Sequence, residues 1–263
     1  MKHLIKFLIR LVLPIGLVLA LNRGLRAAAA AGHRLQYLLQ WRIARRQPGW
    51  FDHFINQYCW HASRDSSPWD RGILGLLAMK PGCRILDLCC GDGFYPYHFY
   101  ASRAARILAI DYDPEAIRFA KRNFLAANLE FRCADIRTQL PDEIFDNVSW
   151  DAGIDYFTLP DTNVILAGIK QRLTPQGILS GVSPKLQKGQ IAHPDQRNEF
   201  ASADELGSLL RGFFQNVAVL ELAGLGRPGS RVALIFYASD GPVPLDADAL
   251  TYLRLGGPIQ KDA

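Results

Sequence analysis

The sequence predicts an α/β fold: a doubly wound, mostly parallel sheet of seven strands with an antiparallel last hairpin, preceded by an apolar and basic helical arm. From residue 83 onward, short apolar runs alternate with longer segments of helical period, which is typical of parallel strands covered by helices on both faces. The last two apolar runs have no helix between them, so they should pair antiparallel. Charge also divides the chain, because residues 1–51 carry nine Lys and Arg and no acid, whereas the other 212 residues sum to −4.

Each strand is predicted from a short apolar run and each helix from a 3.6-residue period. The expected strands are 83–88, 106–110, 129–133, 147–152, 177–182, 216–222 and 231–238, and the expected helices are 95–103, 114–126, 162–173 and 204–211. Pro114 suits the first turn of its helix, where its missing N–H costs nothing. Ser202, with Glu205 three residues later, predicts a capping box at the start of the last helix. Ligands of such sheets bind at the carboxyl ends of the strands, so the site is expected in the loops after strands one to four.

Length and composition set the domain organisation. The chain has 263 residues, 49% of them hydrophobic, which excludes a disulfide-stapled miniprotein, a collagen-like fibre and a largely disordered chain. We expect a membrane-associating basic arm over 1–47, the α/β domain over 48–240 and a surface tail rich in Pro, Gly and Asp over 241–263. Five cysteines without a CxxC pair favour a reducing compartment, and no metal site is predicted.

The arm contains an apolar segment from Leu4 to Leu21 that Lys6 and Arg10 interrupt. Its charge-free part would be ~16 Å long as a helix, which is shorter than a ~30 Å hydrocarbon core. The whole segment is long enough to span that core if the side chains of the two cations extend to the lipid headgroups. An uncleaved transmembrane anchor, an interfacial helix, a secretory signal peptide and an organellar transit peptide all fit this composition. Six arginines follow the segment and three bases precede it, which favours a membrane-associated protein with its globular domain in the cytoplasm; organelle targeting is the alternative.

A glycine-rich turn, DLCCGDG, begins at Asp87 and ends the first predicted strand. Gly91 and Gly93 would let the backbone approach a ligand closely, although a purely structural strand-to-helix turn has the same composition. Asp111 ends the second predicted strand, 24 residues after Asp87, and Asp135 follows the third strand after the same interval. Singly, each acid is more often a helix cap or a turn residue, but three acids at successive strand ends favour a nucleotide site.

The second and third strand ends supply groups suited to a nucleoside. Asp111 can accept hydrogen bonds from both hydroxyls of a ribose, as acids at this position do in nucleotide-binding sheets. Asp135 is placed to accept from an exocyclic amine, and its neighbours Tyr112 and Ile136 are placed to flank a flat base. The sequence therefore predicts that an adenosine-like group lies across these two strand ends.

Taken together, these segments resemble the class I S-adenosylmethionine-dependent methyltransferases. The resemblance rests on ILDLCCGDGFYPYHFY, ILAIDYDPEAIRFAKRNF, CADI, FDNVSWDAGIDYF and IKQRLTPQGILSGVSP, and it covers roughly residues 50–238. The family's glycine loop usually has glycine where this chain has Cys89, a small residue that suits the same turn, and Gln176 departs from the family's usual Pro-Gly-Gly. The resemblance implies a Rossmann-like enzyme that uses S-adenosylmethionine as its cofactor and transfers a methyl group.

The resemblance also implies a role for each matching residue. Gly91 and Gly93 would line the methionine part of the cofactor, with Asp87 and Cys89 nearby. Asp151, near the end of the fourth strand, would face the amino group of that part. The nucleoside part would be held by the four residues already singled out: Asp111, Tyr112, Asp135 and Ile136. Two cations ahead of the first strand are candidates for the cofactor carboxylate, although surface placement is favoured for both: Arg64 and Arg71.

Methyl transfer requires an acceptor aligned with the methyl group and water kept out; a base is needed only for a hydroxyl or a protonated amine. The candidate catalytic residues are Asp155 and Tyr156, just beyond the fourth strand, and His193, in the polar segment 184–200. A turn Asp, a packed Tyr and a surface His are the structural alternatives. The expected acceptor is a small molecule or lipid-like compound at a membrane surface, and nucleic acid is not expected because the body is acidic overall.

Two other functions fit parts of this pattern. A nicotinamide-dependent oxidoreductase would use a similar nucleotide fold, but a GxGxxG motif lacks its third glycine here. A membrane-tethered nucleotide-binding protein without turnover would keep the fold and the strand-end acids. Comparing the affinities for S-adenosylmethionine and NADH distinguishes a methyltransferase from the oxidoreductase. Release of S-adenosylhomocysteine distinguishes a methyltransferase from the binding protein without turnover.

Overall fold

The structure, a computed structural model, describes residues 14–39, 53, 67–186, 197–222 and 232–244, and the chain divides into two compact units, 1–63 and 64–263. The first unit contains the helix α1 (Ile15–Tyr37), on which large apolar side chains such as Leu25 are exposed. Within the described ranges, no helix combines the length and the apolar character needed to cross a membrane. Residues 4–13 of the predicted apolar segment lie outside those ranges.

The second unit is an α/β domain with a seven-stranded sheet. Its elements, in chain order, are α2 (Ser67–Leu77), β1 (Arg84–Leu88), a π-helical turn (Pro96–Tyr100), β2 (Arg106–Asp111), α3 (Pro114–Asn123), β3 (Leu129–Cys133), β4 (Phe145–Asp151), a 3-10 turn (Ile154–Tyr156), α4 (Leu159–Arg172), β5 (Leu173–Pro184), α5 (Ala203–Arg211), β6 (Asn216–Leu222) and β7 (Ala233–Ser239). The strand order is β3-β2-β1-β4-β5-β7-β6. Strands β1 to β5 run parallel and β7 is antiparallel to both neighbours, which confirms the predicted fold.

The strand order reverses beside β1, and this reversal positions the site. The chain moves outward from β1 to β2 and β3, then returns to the other side of β1 at β4. In doubly wound sheets the ligand crevice opens at such a reversal, at the carboxyl ends of the strands. The crevice therefore lies where β1 and β4 end, next to the tip of β2.

The sheet is buried on both faces, as the continuous apolar runs of its central strands predicted. One face belongs to the larger apolar cluster, in which Leu86 of β1 and Trp150 of β4 join Ile165 of α4 and Leu210 of α5. The other face packs beneath α2 through a smaller cluster that includes Ile178. The polar side chains of the candidate site belong mainly to this second face.

The predicted helix 95–103 is instead mostly a π-helical turn, Pro96–Tyr100. A Cβ on Gly72 of α2 would lie 2.5 Å from three atoms of the Phe99 ring, so α2 sits directly on this turn. The turn carries hydrogen bonds between residues five apart, which widens it by one residue relative to an α-helix. This change of hydrogen bonding occurs where the turn packs against α2. The sequence of the segment itself does not indicate that packing, so a helix was predicted there.

Two other helices differ from their predicted bounds for local reasons. Helix α3 ends at Asn123 because Phe124 adopts an extended backbone, and the Phe124 ring lies 5.0 Å from the Tyr97 ring, centroid to centroid. Helix α4 starts at Leu159, three residues before the predicted start, because the Thr158 side chain caps its first turn. The end of α3 thus follows from the backbone angles of Phe124, and the start of α4 from the cap that Thr158 provides.

Candidate functional site

The turn after β1 holds three residues in the left-handed backbone region. The φ angles are 58° at Cys89, 52° at Gly91 and 81° at Gly93. Glycine adopts a positive φ angle without steric cost, whereas at Cys89 the Cβ atom makes the same backbone angle sterically unfavourable. A Cβ on Gly93 would lie 2.6 Å from the Phe131 ring, so the turn fits closely against β3. The bend therefore needs glycine at this position for two reasons, its backbone angle and its contact.

Asp111 ends β2 and holds the glycine turn in place. Its carboxylate accepts hydrogen bonds from the Gly91 N–H and the Asp113 N–H, both at 2.9 Å. Burial raises the pKa of Asp111, and these backbone donors oppose the rise. Because a carboxylate offers about four acceptor positions, Asp111 retains capacity for further donors such as ribose hydroxyls.

Asp135 and Ile136 follow β3 on the same edge of the sheet, since β3 and β2 are parallel neighbours. The Asp135 carboxylate is paired with the Arg137 guanidinium at 2.6 Å, and this hydrogen-bonded cation lowers the pKa of Asp135. Ile136 is buried, whereas Tyr112 at the tip of β2 is 65% exposed. The predicted nucleoside residues thus lie at one sheet edge, and an adenine amine would compete with Arg137 for Asp135.

Arg71 of α2 lies beside the end of β4, although surface placement was favoured for it. Its guanidinium donates two hydrogen bonds to the Asp151 carboxylate, 2.7 Å from Nη2 to Oδ2 and 3.3 Å from Nε to Oδ1. It also lies over the Tyr95 ring, 5.3 Å from the centroid. Burial lowers the pKa of Arg71, but the charge and hydrogen bonds of Asp151, together with Tyr95 and Tyr100, more than offset this effect and raise the pKa. The other candidate cation, Arg64, lies outside the described residues.

Asp87 is a buried acid beneath the glycine turn, 3% exposed. Its Oδ2 atom has no hydrogen-bond partner within the described ranges. Burial first, and then the charge of Asp151, raise the pKa of Asp87 well above the usual aspartate range, while a hydrogen bond with Ser149 opposes the rise. A cationic ligand nearby would favour the ionised form of this carboxyl.

The predicted catalytic residues fall in three different situations. Asp155 is buried in the 3-10 turn after β4, and its backbone carbonyl accepts hydrogen bonds from the N–H groups of Arg197 and Asn198, at 2.8 and 3.1 Å. Tyr156 is 46% exposed in the same turn. His193 lies outside the described residues. The structure therefore joins the turn after β4 to the far end of the segment that follows β5.

Two site residues were missed or given too little weight by the sequence reasoning. Asp92 is fully buried in the glycine turn, where its Oδ1 accepts a hydrogen bond from the Phe94 N–H at 3.1 Å. Its position two residues before that N–H is typical of an Asx turn, so a local signal was present. Arg71 has no such signal, because its partner Asp151 is 80 residues away in the chain.

These features fit S-adenosylmethionine. Its methionine end carries an ammonium and a carboxylate, and the Arg71–Asp151 pair offers one group of each opposite charge at the end of β4. The unpaired Oδ2 of Asp87 is an acceptor for a donor above the turn. Gly91 and Gly93 contribute no side chains to the bend, and Asp111 lies at the strand end where a ribose is predicted to bind. The residue roles themselves stay predictions.

Comparison with known proteins gives a consistent result. The profile of a family described as "Methyltransferase domain" matches residues 79–218, more than half of the chain. An uncharacterised methyltransferase of Synechocystis is 31% identical over a stretch that covers 40% of this chain and 48% of that protein. A malonyl-[acyl-carrier protein] O-methyltransferase of Bacillus cytotoxicus is 32% identical over 36% of this chain and 33% of that protein. The chain thus spans half or less of the curated relatives it matches.

Among solved structures, the complex of DhpI with SAH covers 84% of this chain and 98% of that chain, with a TM-score of 0.53 and 19% identity. At this identity the similarity concerns the fold alone. The family profile covers more than half of the chain and extends from just before β1 into β6, including the glycine turn and the ends of β1 to β4. The chain therefore belongs to the S-adenosylmethionine-dependent methyltransferases.

Proposed function

We propose that this chain transfers a methyl group from S-adenosylmethionine to a small-molecule or lipid-like acceptor, by in-line displacement at a membrane surface. The observation that carries the proposal is the convergence of the glycine turn, Asp111 and the Arg71–Asp151 pair at the carboxyl edge of β1, β2 and β4. Family membership supports the chemistry. The nicotinamide alternative is disfavoured by the same family match and by the missing third glycine.

The bound cofactor would supply an activated methyl group on a sulfonium with a good leaving group. The chain's own residues then have three tasks. Arg71 and Asp151 orient the amino acid end, and Asp111 orients the ribose. Asp87, buried and ionised in the complex, balances the positive charge. Asp155 and Tyr156, beyond β4, line the side from which an acceptor would approach and are the candidate bases for a hydroxyl or ammonium acceptor.

The membrane part of the proposal rests on the arm. Helix α1 exposes Leu and Ile side chains together with Arg23 and Arg26, and the first 51 residues contain no acid. Exposed apolar side chains with cations on the same segment suit an anionic lipid surface. The catalytic domain would then work on the cytoplasmic side, with an organelle-targeted protein as the alternative.

The decisive experiment measures binding and turnover separately on the full chain. Calorimetric titration with S-adenosylmethionine and with NADH should give binding of the first only. Incubation with S-adenosylmethionine and a lysate extract should release S-adenosylhomocysteine. The Asp111→Ala variant should release less of it when S-adenosylmethionine is below saturation. If S-adenosylmethionine binds but no extract leads to release of S-adenosylhomocysteine, the non-catalytic alternative is favoured. If NADH binds more tightly than S-adenosylmethionine, the proposal is rejected.

A further inference from the structure

A row of polar side chains on the α2 face of the sheet begins at Asp87. Asp87 of β1 is paired with Ser149 of β4, and Ser149 is paired with Ser180 of β5. Side chains of paired residues on neighbouring strands point to the same face, so these three lie next to one another. Each is at most 3% exposed. The partner of Asp87 on β2 is Ala109, so Ser149 is the polar residue that strand pairing places beside this carboxyl.

The hydroxyls of Ser149 and Tyr100 form a chain that ends at this carboxyl. Ser149 is hydrogen-bonded to Asp87, and that bond favours the ionised carboxylate. Because a carboxylate only accepts hydrogen bonds, Ser149 donates its one proton there. The Ser149 oxygen lies 3.3 Å from the Tyr100 hydroxyl, and since its own proton is already used, it accepts in that contact. Both hydroxyls therefore donate in the direction of Asp87.

Tyr100 is held in this position by the packing of the π-helical turn against α2. Its side chain is 1% exposed, and a Cβ on Gly75 of α2 would lie 2.8 Å from its hydroxyl oxygen. The hydroxyl thus has little room to turn away from Ser149. Burial, and then the charges of Asp87 and Asp151, raise the pKa of Tyr100, so the hydroxyl keeps its proton and remains a donor.

The other groups that face Asp87 do not replace these donors. The carboxylates of Asp151 on β4 and Asp111 on β2 raise the pKa of Asp87, as burial does. Arg71 of α2 is already engaged by Asp151. The remaining titratable neighbours come from the glycine turn and the residue two positions after it: Cys89, Cys90, Asp92 and Tyr95. The Ser149 hydroxyl thus acts against burial and against both neighbouring acids.

We propose that Ser149 and Tyr100 are positioning residues for the cofactor, because their hydroxyls stabilise ionised Asp87 opposite the positive charge of S-adenosylmethionine. Ser149 acts through Asp87, and Tyr100 acts through Ser149. When the ligand binds, Asp87 releases its proton to the solvent, and each hydroxyl keeps its own. This inference rests on the proposed function, because the charge that Asp87 balances is that of the cofactor.

The first test follows the Asp87 carboxyl in the full chain without ligand. Carbon-13 NMR of the aspartate carboxyl carbons gives its titration midpoint, and loss of the signal in Asp87→Asn identifies it. Ser149→Ala should raise the midpoint by about one pH unit, the effect of one hydrogen bond to a charged group. Tyr100→Phe should raise it by less, because Ser149 still donates. The double variant should match Ser149→Ala alone, because Tyr100 acts through Ser149.

The second test measures binding of S-adenosylmethionine by calorimetric titration across the same pH range. Binding to Ser149→Ala should be about tenfold weaker at pH values below the wild-type midpoint, as a shift of one pH unit requires. Above the raised midpoint the two affinities should converge. A merely structural role of Ser149 would instead weaken binding equally at every pH.

Ser180→Ala is the matched control, because Ser180 is buried on the same face beside Ser149 and its Oγ has no hydrogen-bond partner in the part of the chain that the structure describes. It should change neither the Asp87 midpoint nor the affinity. An unmoved midpoint in Ser149→Ala, an equal rise in Ser180→Ala or a loss of affinity that is the same at every pH would overturn the inference.

Binding to the wild-type chain keeps the two proposals apart. If S-adenosylmethionine binds and Ser149→Ala leaves the pH profile unchanged, only the positioning role is rejected. If S-adenosylmethionine fails to bind at every pH, the proposed function is rejected together with it.

Discussion

At the scale of one residue, the Asp111 carboxylate holds the glycine turn and is also the group predicted to bind a ribose. Its two oxygens accept hydrogen bonds from the N–H groups of Gly91 and Asp113, so the predicted ribose site and the shape of the glycine turn depend on the same side chain. The acid at a strand end was predictable from the alternation of apolar runs with Asp. Its bond to Gly91 was not, because that contact depends on how β1 and β2 align.

Asp111→Ala should weaken binding of S-adenosylmethionine by about 1.5–3 kcal/mol, through the loss of charge-assisted hydrogen bonds. It should also lower the free energy of unfolding, because the Gly91 N–H loses its acceptor. Calorimetric titration and urea unfolding measure the two effects. Glu115→Gln, an exposed acid close by on α3, is the control and should change neither. Unaltered affinity in Asp111→Ala would contradict the ribose assignment.

Asp87 gives a pH dependence whose direction follows from its raised pKa. In the unliganded fold the protonated form is favoured, so its contribution to stability is present at acid pH and lost as pH rises through the raised pKa. A cationic ligand prefers the ionised form. Binding of S-adenosylmethionine should therefore tighten as pH rises from acid toward neutral, with release of a proton.

Calorimetry in two buffers of different ionisation enthalpy measures that proton release. Asp87→Asn should abolish both the release and the pH dependence of affinity. Asp146→Asn, a partly exposed acid at the other end of the sheet, should keep both. A wild-type affinity that stays flat across this pH range would show that Asp87 does not face the ligand's charge.

At the scale of elements, six strands lie within two residues of their predicted bounds, whereas β5 begins at Leu173, four residues before its predicted start. Short apolar runs are local, and β3 was found at its predicted bounds. The cap of α5 was also partly local: Ser202 Oγ accepts from the Glu205 N–H at 3.1 Å, but the Glu205 carboxylate accepts from the Ala201 N–H instead of closing the box on Ser202. The π-helical turn was not predictable, because its packing partner α2 comes from a distant part of the sequence.

Gly72→Ala tests the packing of α2 on that turn. Alanine favours a helix over glycine by up to ~1 kcal/mol, but here its Cβ would lie 2.5 Å from the buried Phe99 ring, and such overpacking costs about 1–3 kcal/mol. A net loss of stability is expected in urea unfolding. Gly207→Ala on α5, whose Cβ would meet the flexible end of Arg211, should be neutral or stabilising. Equal behaviour of the two variants would rule out the close packing.

At the scale of the whole molecule, charge separates the arm from the body. The nine cations of the first 51 residues account for more than the net charge of +5, and the rest of the chain is acidic. Membrane attraction is therefore expected from the arm, whereas the body should be repelled by an anionic surface.

Replacing Arg23, Arg26 and Arg34 together by Gln should weaken binding of the full chain to anionic vesicles at least tenfold, since each cation near the surface contributes ~1 kcal/mol. Vesicle sedimentation at low and high salt measures the effect, which should shrink as salt rises. Arg118 and Arg122 on α3, both exposed, replaced by Gln, form the control. Undiminished binding of the triple variant would refute the role of the arm.

The extra residue in the turn Pro96–Tyr100 places the Tyr100 hydroxyl beside Ser149 of β4. With one residue fewer, the segment would close as an ordinary α-helical turn and rotate the following side chains by about 100°. The Tyr100 hydroxyl would then leave Ser149. A one-residue deletion in this turn is thus expected to remove a polar contact between the turn and β4, without any substitution in the strand itself.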